Sequence, residues 1–314
     1  MKKQEKIFVI GHKNPDTDSI CSAIAYCDIK NRTTQDSKYI AKRAGQINEE
    51  TEYVLNRFGV QPPGYLSNIG TQVKDMDIRL SPEANKSMSL KNAWDLMQEN
   101  SIVSLPIREK DGTLEGLITI GDIAKTYMDT TDSYLLSRAR TQYQRIAETI
   151  GGKVVEGNGH GYFVQGKIMV ATANPDKMKE YVEENDMIIM GNREEDHLQA
   201  IEQNVSCIIV GLGIEVTEKV LKLAHEKDII IISSPYDTFT ISRLINQSIP
   251  VKYIMKTENL VTFNTEDFTD DIQDVMIKHR HRAFPVIDKK GKCIGTISRR
   301  NFLDMHRKKV VLVD

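Results

Sequence analysis

The stretch that decides the fold is Ile7-Phe8-Val9-Ile10-Gly11-His12-Lys13-Asn14-Pro15-Asp16-Thr17-Asp18-Ser19. Its first four residues form a fully apolar run, which predicts a strand buried on both faces. The alanine-rich spacing of residues 19–30 is compatible with a helix, so the polar residues lie in the loop at the carboxyl end of the strand. Because α/β folds bind ligands at this edge of the sheet, we expect a β-loop-α unit that carries a binding site.

The loop places one imidazole and two carboxylates, those of His12, Asp16 and Asp18, within a short stretch of chain. An imidazole combined with carboxylates suits manganese, magnesium or cobalt better than a thiolate site would. The pattern therefore indicates part of a divalent-metal site. Taken alone, it also fits a structural role, in which Asp16 and Asp18 cap the following helix and His12 belongs to the core.

The composition limits the classes of function. The 42 Lys and Arg nearly balance the 44 Asp and Glu, which argues against a basic surface for nucleic acid or an anionic membrane. The 4 cysteines show neither zinc-site spacing nor the density of a disulfide framework. No apolar stretch approaches the roughly 20 residues of a membrane-spanning helix. The apolar run near the N-terminus is also too short for the hydrophobic region of a signal peptide. We expect a soluble, cytoplasmic protein of several domains whose partners are small molecules or copies of itself.

A second β-α pattern follows the first. Residues 39–41 are strand-like, residues 49–58 are helical in pattern, and the breaker Gln61-Pro62-Pro63-Gly64 closes this segment near residue 65. At the other end of the chain, Val310-Val311-Leu312-Val313 predicts another buried strand and precedes Asp314. We expect these two ends to belong to one sheet.

An internal repeat occupies much of the remaining chain. Met76 and Met255 are 179 positions apart, and a shift of the chain by this number aligns further identical residues without a gap. The aligned pairs are Asp95 and Asp274, Met97 and Met276, Pro106 and Pro285, Gly112 and Gly291, and Gly116 and Gly295. Each copy is predicted to be a βαββα-like unit with an amphipathic helix at residues 90–99 or 270–278. Since such a unit is too small to bury two sheet faces alone, we expect the copies to pack together and leave clefts.

In both copies a residue with a hydroxyl group lies at the end of the second long strand. An acid or an amide follows it three residues later. The pairs are Thr119 with Asp122 and Ser298 with Asn301. Such groups can accept hydrogen bonds from ribose, and a helix N-terminus favours anions. Helix capping explains the same residues. The run His279-Arg280-His281-Arg282 is compatible with phosphate binding and equally with a solvated charged surface.

The segment between the copies, residues 131–250, is predicted to be a separate α/β unit with a small parallel sheet. Buried strands at 187–190, 207–210 and 229–232 alternate with helical stretches. The part from Gly191 to Gly213 resembles the DRTGG domain, with the signature reduced to Val210-Gly211-Leu212-Gly213. A glycine-rich stretch at 151–161 has no following Lys-Ser/Thr, so a loop between strands is preferred to a phosphate cradle.

The repeats resemble a pair of cystathionine-β-synthase-type (CBS) domains. That resemblance implies that an adenine nucleotide is held by its ribose hydroxyls and that nearby cations face its phosphates. The implied ribose ligands are Thr119, Asp122, Ser298 and Asn301, and the implied phosphate ligands are Arg282, Arg299 and Arg300.

The string from Gly11 to Tyr26 resembles the first motif of the DHH phosphoesterase superfamily, and Thr17 and Ser19 favour its family II inorganic pyrophosphatase branch. The resemblance implies that His12 and Asp16 bind one metal, that Asp18 binds a second, and that Asp314 bridges the two. It implies two manganese or cobalt ions, with magnesium accompanying the substrate, and hydrolysis of diphosphate to two phosphates. In the nucleotide-regulated subclass, AMP or ADP would inhibit, and ATP or a diadenosine polyphosphate would activate.

The expected architecture is an α/β protein in which a partial DHH Rossmann-like domain carries an inserted CBS–DRTGG–CBS region. The boundaries are 1–65 for the first part of the DHH domain, 66–130 and 251–307 for the CBS domains, 131–250 for the DRTGG-like domain, and 308–314 for the return strand. The family's later His-His pair, last ligating Asp and C-terminal lobe have no counterpart before Asp314, so we expect a truncated catalytic region with weak or absent turnover. Paired CBS modules imply a homodimer.

Regulation follows from the position of the insertion. Insertions are tolerated where chain ends lie close together, so residues near 66 and near 308 are expected to meet beside the metal half-domain. A nucleotide that prefers one arrangement of the repeats would then shift the strand that carries Asp314. Two alternatives stay open: an adenine-nucleotide sensor without catalysis, and a DHH phosphodiesterase acting on short oligonucleotides. Thr17, Ser19 and the absence of a basic groove argue against the second.

Overall fold

The computed structural model describes residues 5–66, 68–128, 132–171, 175–279, 281–303 and 309–313. These residues belong to two compact units. The first unit comprises Met1–Arg79, Phe263–Val286 and Ile297–Asp314, and the second comprises Leu80–Thr262 and Ile287–Thr296. The division passes through the second sequence repeat.

Strands and helices alternate along most of the described chain. The strands are β1 (Glu5–Ile10), β2 (Ser37–Arg43), β3 (Gly64–Tyr65), β4 (Ser104–Arg108), β5 (Leu114–Thr119), β6 (Thr141–Gln142), β7 (Lys153–Glu156), β8 (Tyr162–Phe163), β9 (Ile168–Val170), β10 (Met187–Met190), β11 (Cys207–Val210), β12 (Ile230–Ser233), β13 (Phe263–Asn264), β14 (Phe284–Ile287), β15 (Cys293–Ile297) and β16 (Lys309–Leu312). The helices are α1 (Thr17–Thr33), α2 (Glu49–Arg57), α3 (Leu90–Glu99), α4 (Ile120–Met128), α5 (Leu135–Arg138), α6 (Tyr143–Thr149), α7 (Pro175–Met178), α8 (Glu194–Glu202), α9 (Glu218–Glu226), α10 (Thr238–Leu244), α11 (Thr269–His279) and α12 (Arg300–Leu303). Short 3-10 helices lie at Val73–Asp75, Ile245–Ser248 and Val251–Tyr253.

A four-stranded parallel sheet in the order β16-β1-β2-β3 forms the core of the first unit. Val9 is completely buried and packs with Ala23 and Cys27 of α1, as expected for an apolar central strand. The chain leaves β1 in one direction to make β2 and β3, whereas β16 lies on the other side of β1. The carboxyl ends of β1 and β16 therefore border a topological switch point, where α/β sheets place their ligands.

The strand predicted at residues 310–313 forms and pairs with β1, but the prediction that it is buried is wrong, because β16 lies at the edge of the described sheet and Leu312 is exposed. Ile10 is in register with Leu312, and the backbone N–H of Val313 donates to the carbonyl of Ile10 at 3.1 Å. Two stretches of apolar sequence separated by about 300 positions therefore join the same sheet.

The first repeat consists of α3, an antiparallel β4–β5 hairpin and α4. Leu90, Ala93 and Met97 form the buried stripe of α3, at the spacing that a helix requires. The hairpin pairs Pro106 with Leu117, and Gly112 occupies its turn with a φ of +90°, which favours glycine.

The second repeat differs from the first in its leading segment. It contains a short strand, β13, in a sheet of order β13-β14-β15, followed by α11 with Ile272 and Met276 buried. No strand directly precedes α3 among the described residues. The βαββα order predicted for both copies is therefore wrong for the first copy, whose described leading segment contains a 3-10 helix at Val73–Asp75 and isolated bridges in place of a strand.

The segment between the repeats contains a five-stranded sheet of order β7-β12-β11-β10-β9. The three predicted strands, β10, β11 and β12, are parallel as expected, and β9 extends the parallel part. The edge strand β7, which was not predicted, pairs antiparallel with β12, so the complete sheet is mixed. Helices α8 and α9 lie on the same face of this sheet, because Ala200 of α8 and Ala224 of α9 belong to one buried cluster. Ile188, Ile208 and Ile231 pack with that helical layer. The glycines from 157 to 161 lie in the loop between β7 and β8, as the preferred interpretation predicted.

The other face of this sheet packs within the second unit against the first repeat. Ile189, Ile209 and Ile232 belong to one buried cluster with Leu105 and Ile118 of the β4–β5 hairpin. Across the described part of the chain, no helix has the length and apolar character needed to cross a bilayer.

Candidate functional site

The loop between β1 and α1 brings His12 and Asp16 together. The Nε2 of His12 lies 3.4 Å from Oδ1 of Asp16, with both side chains substantially exposed. Gly11 allows the loop to pass close to α1, because a Cβ at this position would overlap Oγ of the buried Ser19. Close packing of strand and helix therefore holds the two polar side chains at the edge of the sheet.

Asp16 has two roles in this loop. It is the N-cap of α1, since its Oδ1 accepts the backbone N–H of Ser19 at 2.9 Å. That hydrogen bond, reinforced by the nearby His12, lowers the pKa of the Asp16 carboxyl below its ordinary value. The capping interpretation is thus correct for Asp16, and the same bond further favours the ionised carboxylate. The other part of that interpretation is wrong, because the side chain of His12 is exposed and not part of the core.

Asp18 lies in the first turn of α1 and is exposed. Its Oδ1 accepts a hydrogen bond from Oγ of Ser22 at 3.3 Å. Asp314 lies outside the described residues, so its position relative to this loop stays a prediction. Within the described ranges no group of three His, Cys, Asp or Glu side chains is arranged to hold a metal.

The His12–Asp16 pair has the spacing of two ligands of one divalent cation. With metal–ligand bonds of about 2.1 Å, neighbouring donors around an octahedral or tetrahedral ion lie roughly 3.0 to 3.5 Å apart, which includes the observed 3.4 Å. An imidazole nitrogen and a carboxylate oxygen suit the transition ions that accept mixed N and O ligands. These two residues therefore fit a shared cation.

In the first repeat, Thr119 and Asp122 form a compact hydrogen-bonded pair at the start of α4. The carboxylate Oδ2 of Asp122 accepts the backbone N–H of Thr119 at 2.9 Å and its hydroxyl at 2.6 Å. The other oxygen, Oδ1, lies 3.5 Å from Nζ of Lys256. Each carboxylate oxygen has two acceptor positions, so the pair retains acceptors for the hydroxyls of a sugar.

Ser298 and Asn301 repeat this geometry in the second copy. Oδ1 of Asn301 accepts the backbone N–H of Ser298 at 2.7 Å and its hydroxyl at 2.8 Å. The amide Nδ2 of Asn301 donates to the backbone carbonyl of Asp77 at 2.6 Å. The amide of Asn301 therefore makes the same two hydrogen bonds as the carboxylate of Asp122. Where Asp122 contacts the ammonium of Lys256, Asn301 contacts a backbone carbonyl.

The predicted phosphate ligands lie on different segments of the second repeat, Arg282 before β14 and Arg299 and Arg300 at the start of α12. Arg299 donates to the carbonyl of Met276 at 2.6 Å, and Arg300 begins α12. Arg282 is exposed before β14, and no hydrogen bond among the described residues joins it to the Ser298–Asn301 pair.

Lys256 and Asp77 were missed by the sequence interpretation, although they contact the two predicted ribose-binding pairs. The repeat contains a signal that would have found them, since Lys256 and Asp77 occupy equivalent positions, 179 residues apart. Neither residue is close in sequence to the hydroxyl–acid or hydroxyl–amide pair that it contacts. The leading segments that pair with these sites come from elsewhere in the chain.

Comparison with known families identifies the inserted region. The CBS domain family matches residues 77–129 and 251–307, and the DRTGG domain family matches residues 145–248. The mixed α/β architecture with a CBS–DRTGG–CBS region is therefore confirmed, and the parallel β16-β1-β2-β3 sheet is consistent with a partial DHH domain.

Two curated relatives match the chain over its whole length. The cobalt-dependent inorganic pyrophosphatase of Clostridium perfringens (strain 13 / Type A) is 37% identical over 312 residues, which cover 99% of this chain and 56% of the relative. A probable manganese-dependent inorganic pyrophosphatase of Thermotoga maritima is 30% identical over 314 residues, covering 100% and 57% respectively. The chain thus spans a little over half the length of these relatives.

One solved structure resembles the regulatory region closely. It contains the CBS and DRTGG domains of the regulatory region of Clostridium perfringens pyrophosphatase in complex with an activator, diadenosine tetraphosphate. It is 33% identical in sequence, covers 73% of this chain and 100% of that chain, and has a TM-score of 0.69. Sequence and structure agree that the chain belongs to the family II inorganic pyrophosphatases that carry CBS and DRTGG domains.

Proposed function

We propose that this chain supplies part of a metal-dependent active site for the hydrolysis of inorganic diphosphate and carries the region through which adenine nucleotides regulate it. The observation that carries the catalytic part is the 3.4 Å approach of His12 Nε2 to Asp16 Oδ1 beside the β1–β16 switch point. In this proposal His12 and Asp16 hold one manganese or cobalt ion, Asp18 contributes to a second, and Asp314 is shared by both.

The residues of the loop prepare the site for a cation before one binds. The hydrogen bond from the Ser19 N–H lowers the pKa of Asp16 and holds its carboxylate oxygen Oδ1 near His12. The cations, when bound, lower the pKa of a coordinated water so that it can act as the nucleophile at phosphorus. Asp18, on the first turn of α1, adds negative charge where the helix N-terminus favours it.

Manganese binding tests the catalytic proposal directly. Mn²⁺ titrations followed by electron paramagnetic resonance should show that His12→Gln and Asp16→Asn each weaken binding about tenfold or more. His160→Gln serves as a matched control, because His160 is an exposed histidine in the β7–β8 loop. Phosphate release from diphosphate is then measured with the same variants. Equal Mn²⁺ affinity in all of them would reject the proposed metal site and favour a nucleotide sensor without catalysis.

The proposed regulatory ligands are AMP, ADP, ATP and diadenosine polyphosphates. The support is the shared geometry of Thr119–Asp122 and Ser298–Asn301, together with the diadenosine tetraphosphate bound to the similar regulatory region of the Clostridium perfringens protein. Calorimetry should detect AMP binding by the chain and weaker binding after Asp122→Ala or Asn301→Ala. Absence of nucleotide binding by the folded wild-type chain would reject this part of the proposal.

The proposed domain organisation follows the matches and the sheet order. Residues 1–65 and 308–314 form the DHH part, with CBS domains at 66–130 and 251–307 and a DRTGG domain at 131–250. The pairing of β1 with β16 supports the assignment of both chain ends to the DHH part. We also infer a reducing, cytoplasmic setting, because the four cysteines are free and three of them are buried.

We propose that a second copy covers an apolar face of the second unit. Trp94 and Tyr127 line a cavity of about 330 Å³, and Tyr127 and Phe239 line a neighbouring one of about 200 Å³. Large exposed side chains on these and adjoining segments are Trp94, Tyr127, Met128, Leu212, Tyr236 and Phe239. At roughly 200 Å² per side chain, the exposed fractions leave about 650 Å² open, close to the roughly 800 Å² that each partner buries in a stable interface.

Sedimentation analysis tests this assembly. Phe239→Asp should shift the chain toward monomer, because a buried unpaired charge disrupts an apolar interface. Tyr53→Asp is the control, since Tyr53 is an equally exposed aromatic residue of α2 in the first unit. A dimer that survives Phe239→Asp would reject this face, and a monomeric wild type would reject the homodimer.

A further inference from the structure

Lys256 differs from the other polar groups at the first-repeat nucleotide site because it comes from the leading segment of the second copy. Its backbone N–H donates to the carbonyl of Leu117, and the Leu117 N–H donates to its carbonyl, both at 2.9 Å. Gly116 permits this approach, since a Cβ there would lie 2.9 Å from the carbonyl oxygen of Lys256. The backbone of Lys256 is therefore anchored beside β5.

The side chain of Lys256 is free to change partners. It is 61% exposed, and its ammonium nitrogen lies 3.5 Å from Oδ1 of Asp122, whose side chain is only 18% exposed. Because the ammonium itself is exposed to solvent, this ion pair contributes little to stability. A ribose that donates its hydroxyls to Asp122 can therefore displace the ammonium without a large loss.

The two repeats place their positive charge on different elements. The positions equivalent to Arg282, Arg299 and Arg300 of the second copy are the uncharged residues Val103, Ile120 and Gly121 in the first. Conversely, the position equivalent to Lys256 is Asp77, an acid whose backbone carbonyl accepts from Asn301. In the first repeat, the cation that approaches the hydroxyl–acid pair is thus supplied by the leading segment.

We propose that Lys256 is the phosphate-recognising residue of the first-repeat site and makes that site selective for phosphorylated adenine nucleotides over nucleosides. The inference rests on the proposed binding of adenine nucleotides and identifies one group that performs it. Asp122 takes the ribose hydroxyls, and the released ammonium of Lys256 turns to the 5′-phosphate of the same nucleotide, where an ammonium binds as a compact point charge. The first-repeat site therefore recognises the phosphate through the charge of Lys256 and the ribose through the acceptor oxygens of Asp122.

Calorimetric titrations with AMP and with adenosine test the assignment on the full chain. The titrations use a Ser298→Ala background, which weakens the second-repeat site so that the isotherm reports the first. Lys256→Met should weaken AMP binding about tenfold, as expected for loss of a charged hydrogen bond, and should leave adenosine binding within twofold. The AMP affinity of the parent should fall with added salt more steeply than that of the variant.

Lys252→Met is the matched control, because Lys252 is an exposed lysine on the nearby 3-10 helix and undergoes the same change of charge. Its AMP affinity should equal that of the parent. If Lys256→Met binds AMP as tightly as the parent, or loses AMP and adenosine equally, the assignment is wrong while nucleotide binding itself stands. If the parent binds neither compound, both the proposed regulation and this assignment are rejected.

Discussion

Replacement of Gly11 by alanine should destabilise the first unit specifically. Gly11 directly follows β1, and a Cβ built there overlaps Oγ of Ser19 and lies 3.0 Å from its Cβ and 3.2 Å from its carbonyl oxygen. Ser19 is 1% exposed in the first turn of α1, so it has little space to move away. Overpacking of this kind costs about 1 to 3 kcal/mol.

Gly191 provides the matched control. It directly follows the buried strand β10, as Gly11 follows β1, but a Cβ at Gly191 would meet no atom within 4 Å. Gly191→Ala should therefore be neutral, or stabilising by about 0.4 to 1 kcal/mol through the loss of freedom in the unfolded chain.

A second substitution identifies the contact responsible. Ser19→Ala removes the overlapping Oγ, which has no hydrogen-bond partner within the described structure. In the double variant the closest contact is the 3.0 Å distance between two Cβ atoms, which a shift of a few tenths of an ångström relieves. Gly11→Ala/Ser19→Ala should therefore recover more than half of the stability that Gly11→Ala loses.

Amide hydrogen exchange followed by mass spectrometry measures these effects unit by unit, which matters because a chain with two compact units need not unfold in one step. In Gly11→Ala, peptides that cover β1 and β16 should exchange faster, while peptides that cover β10 and β11 keep their protection. Unchanged exchange in β1 and β16 would refute the packing argument. If peptides that cover β10 and β11 lose as much protection in Gly191→Ala, any alanine placed directly after a parallel strand has this effect and the specific overlap with Ser19 is not the cause.

Three further predictions concern the core, a titratable pair and a helix cap. Ile209→Ala should cost about 2 to 5 kcal/mol, because Ile209 is completely buried between the sheet and the first repeat; urea unfolding followed by the single tryptophan measures it, and an unchanged midpoint would contradict the assigned packing. The carboxylate of Glu156, 3.0 Å from Nδ1 of His225, raises the pKa of His225, so the pair stabilises the fold below the unfolded pKa of 6.5 and loses this effect as the pH rises through the folded pKa. His225→Gln should therefore lower the melting temperature more at pH 5.5 than at pH 9, and a pH-independent difference would contradict the assignment. Asn48→Ala should cost about 1 kcal/mol, because Asn48 caps α2 by accepting from Thr51 N–H at 2.8 Å; unchanged hydrogen exchange in α2 would argue against this cap.

The sequence predicted the elements whose pattern is strong and local. The bounds of α3, β10 and β11 were predicted to the residue, because each combines a continuous apolar pattern with clear end signals. The antiparallel edge strand β7 was not predicted, because strand direction depends on which neighbour is available in the folded sheet. The strand that was predicted before α3 does not form for the same reason. The segment that precedes α3 pairs only through isolated bridges, with residues far along the chain.

The candidate metal loop was predicted because its residues are close in sequence and follow a buried strand. His12 and Asp16 stand four positions apart, so the local turn alone can bring them to 3.4 Å. The Asp314 assignment stays a prediction. Lys256 and Asp77 could not be assigned to the Asp122 and Asn301 sites by local pattern, because each reaches its partner across more than 100 residues of chain.

The amino-acid sequence by itself determined the buried strand β1, the polar loop that carries His12 and Asp16, the repeat and the family, because periodicity, side-chain chemistry and similarity are properties of short or aligned stretches. The sequence led us to expect both chain ends in one sheet, but only the tertiary structure decided that β16 is the direct neighbour of β1 and that Lys256 lies beside Asp122. Such pairings depend on long-range packing, in which the chain folds back to satisfy strand edges and buried surfaces that no local pattern specifies.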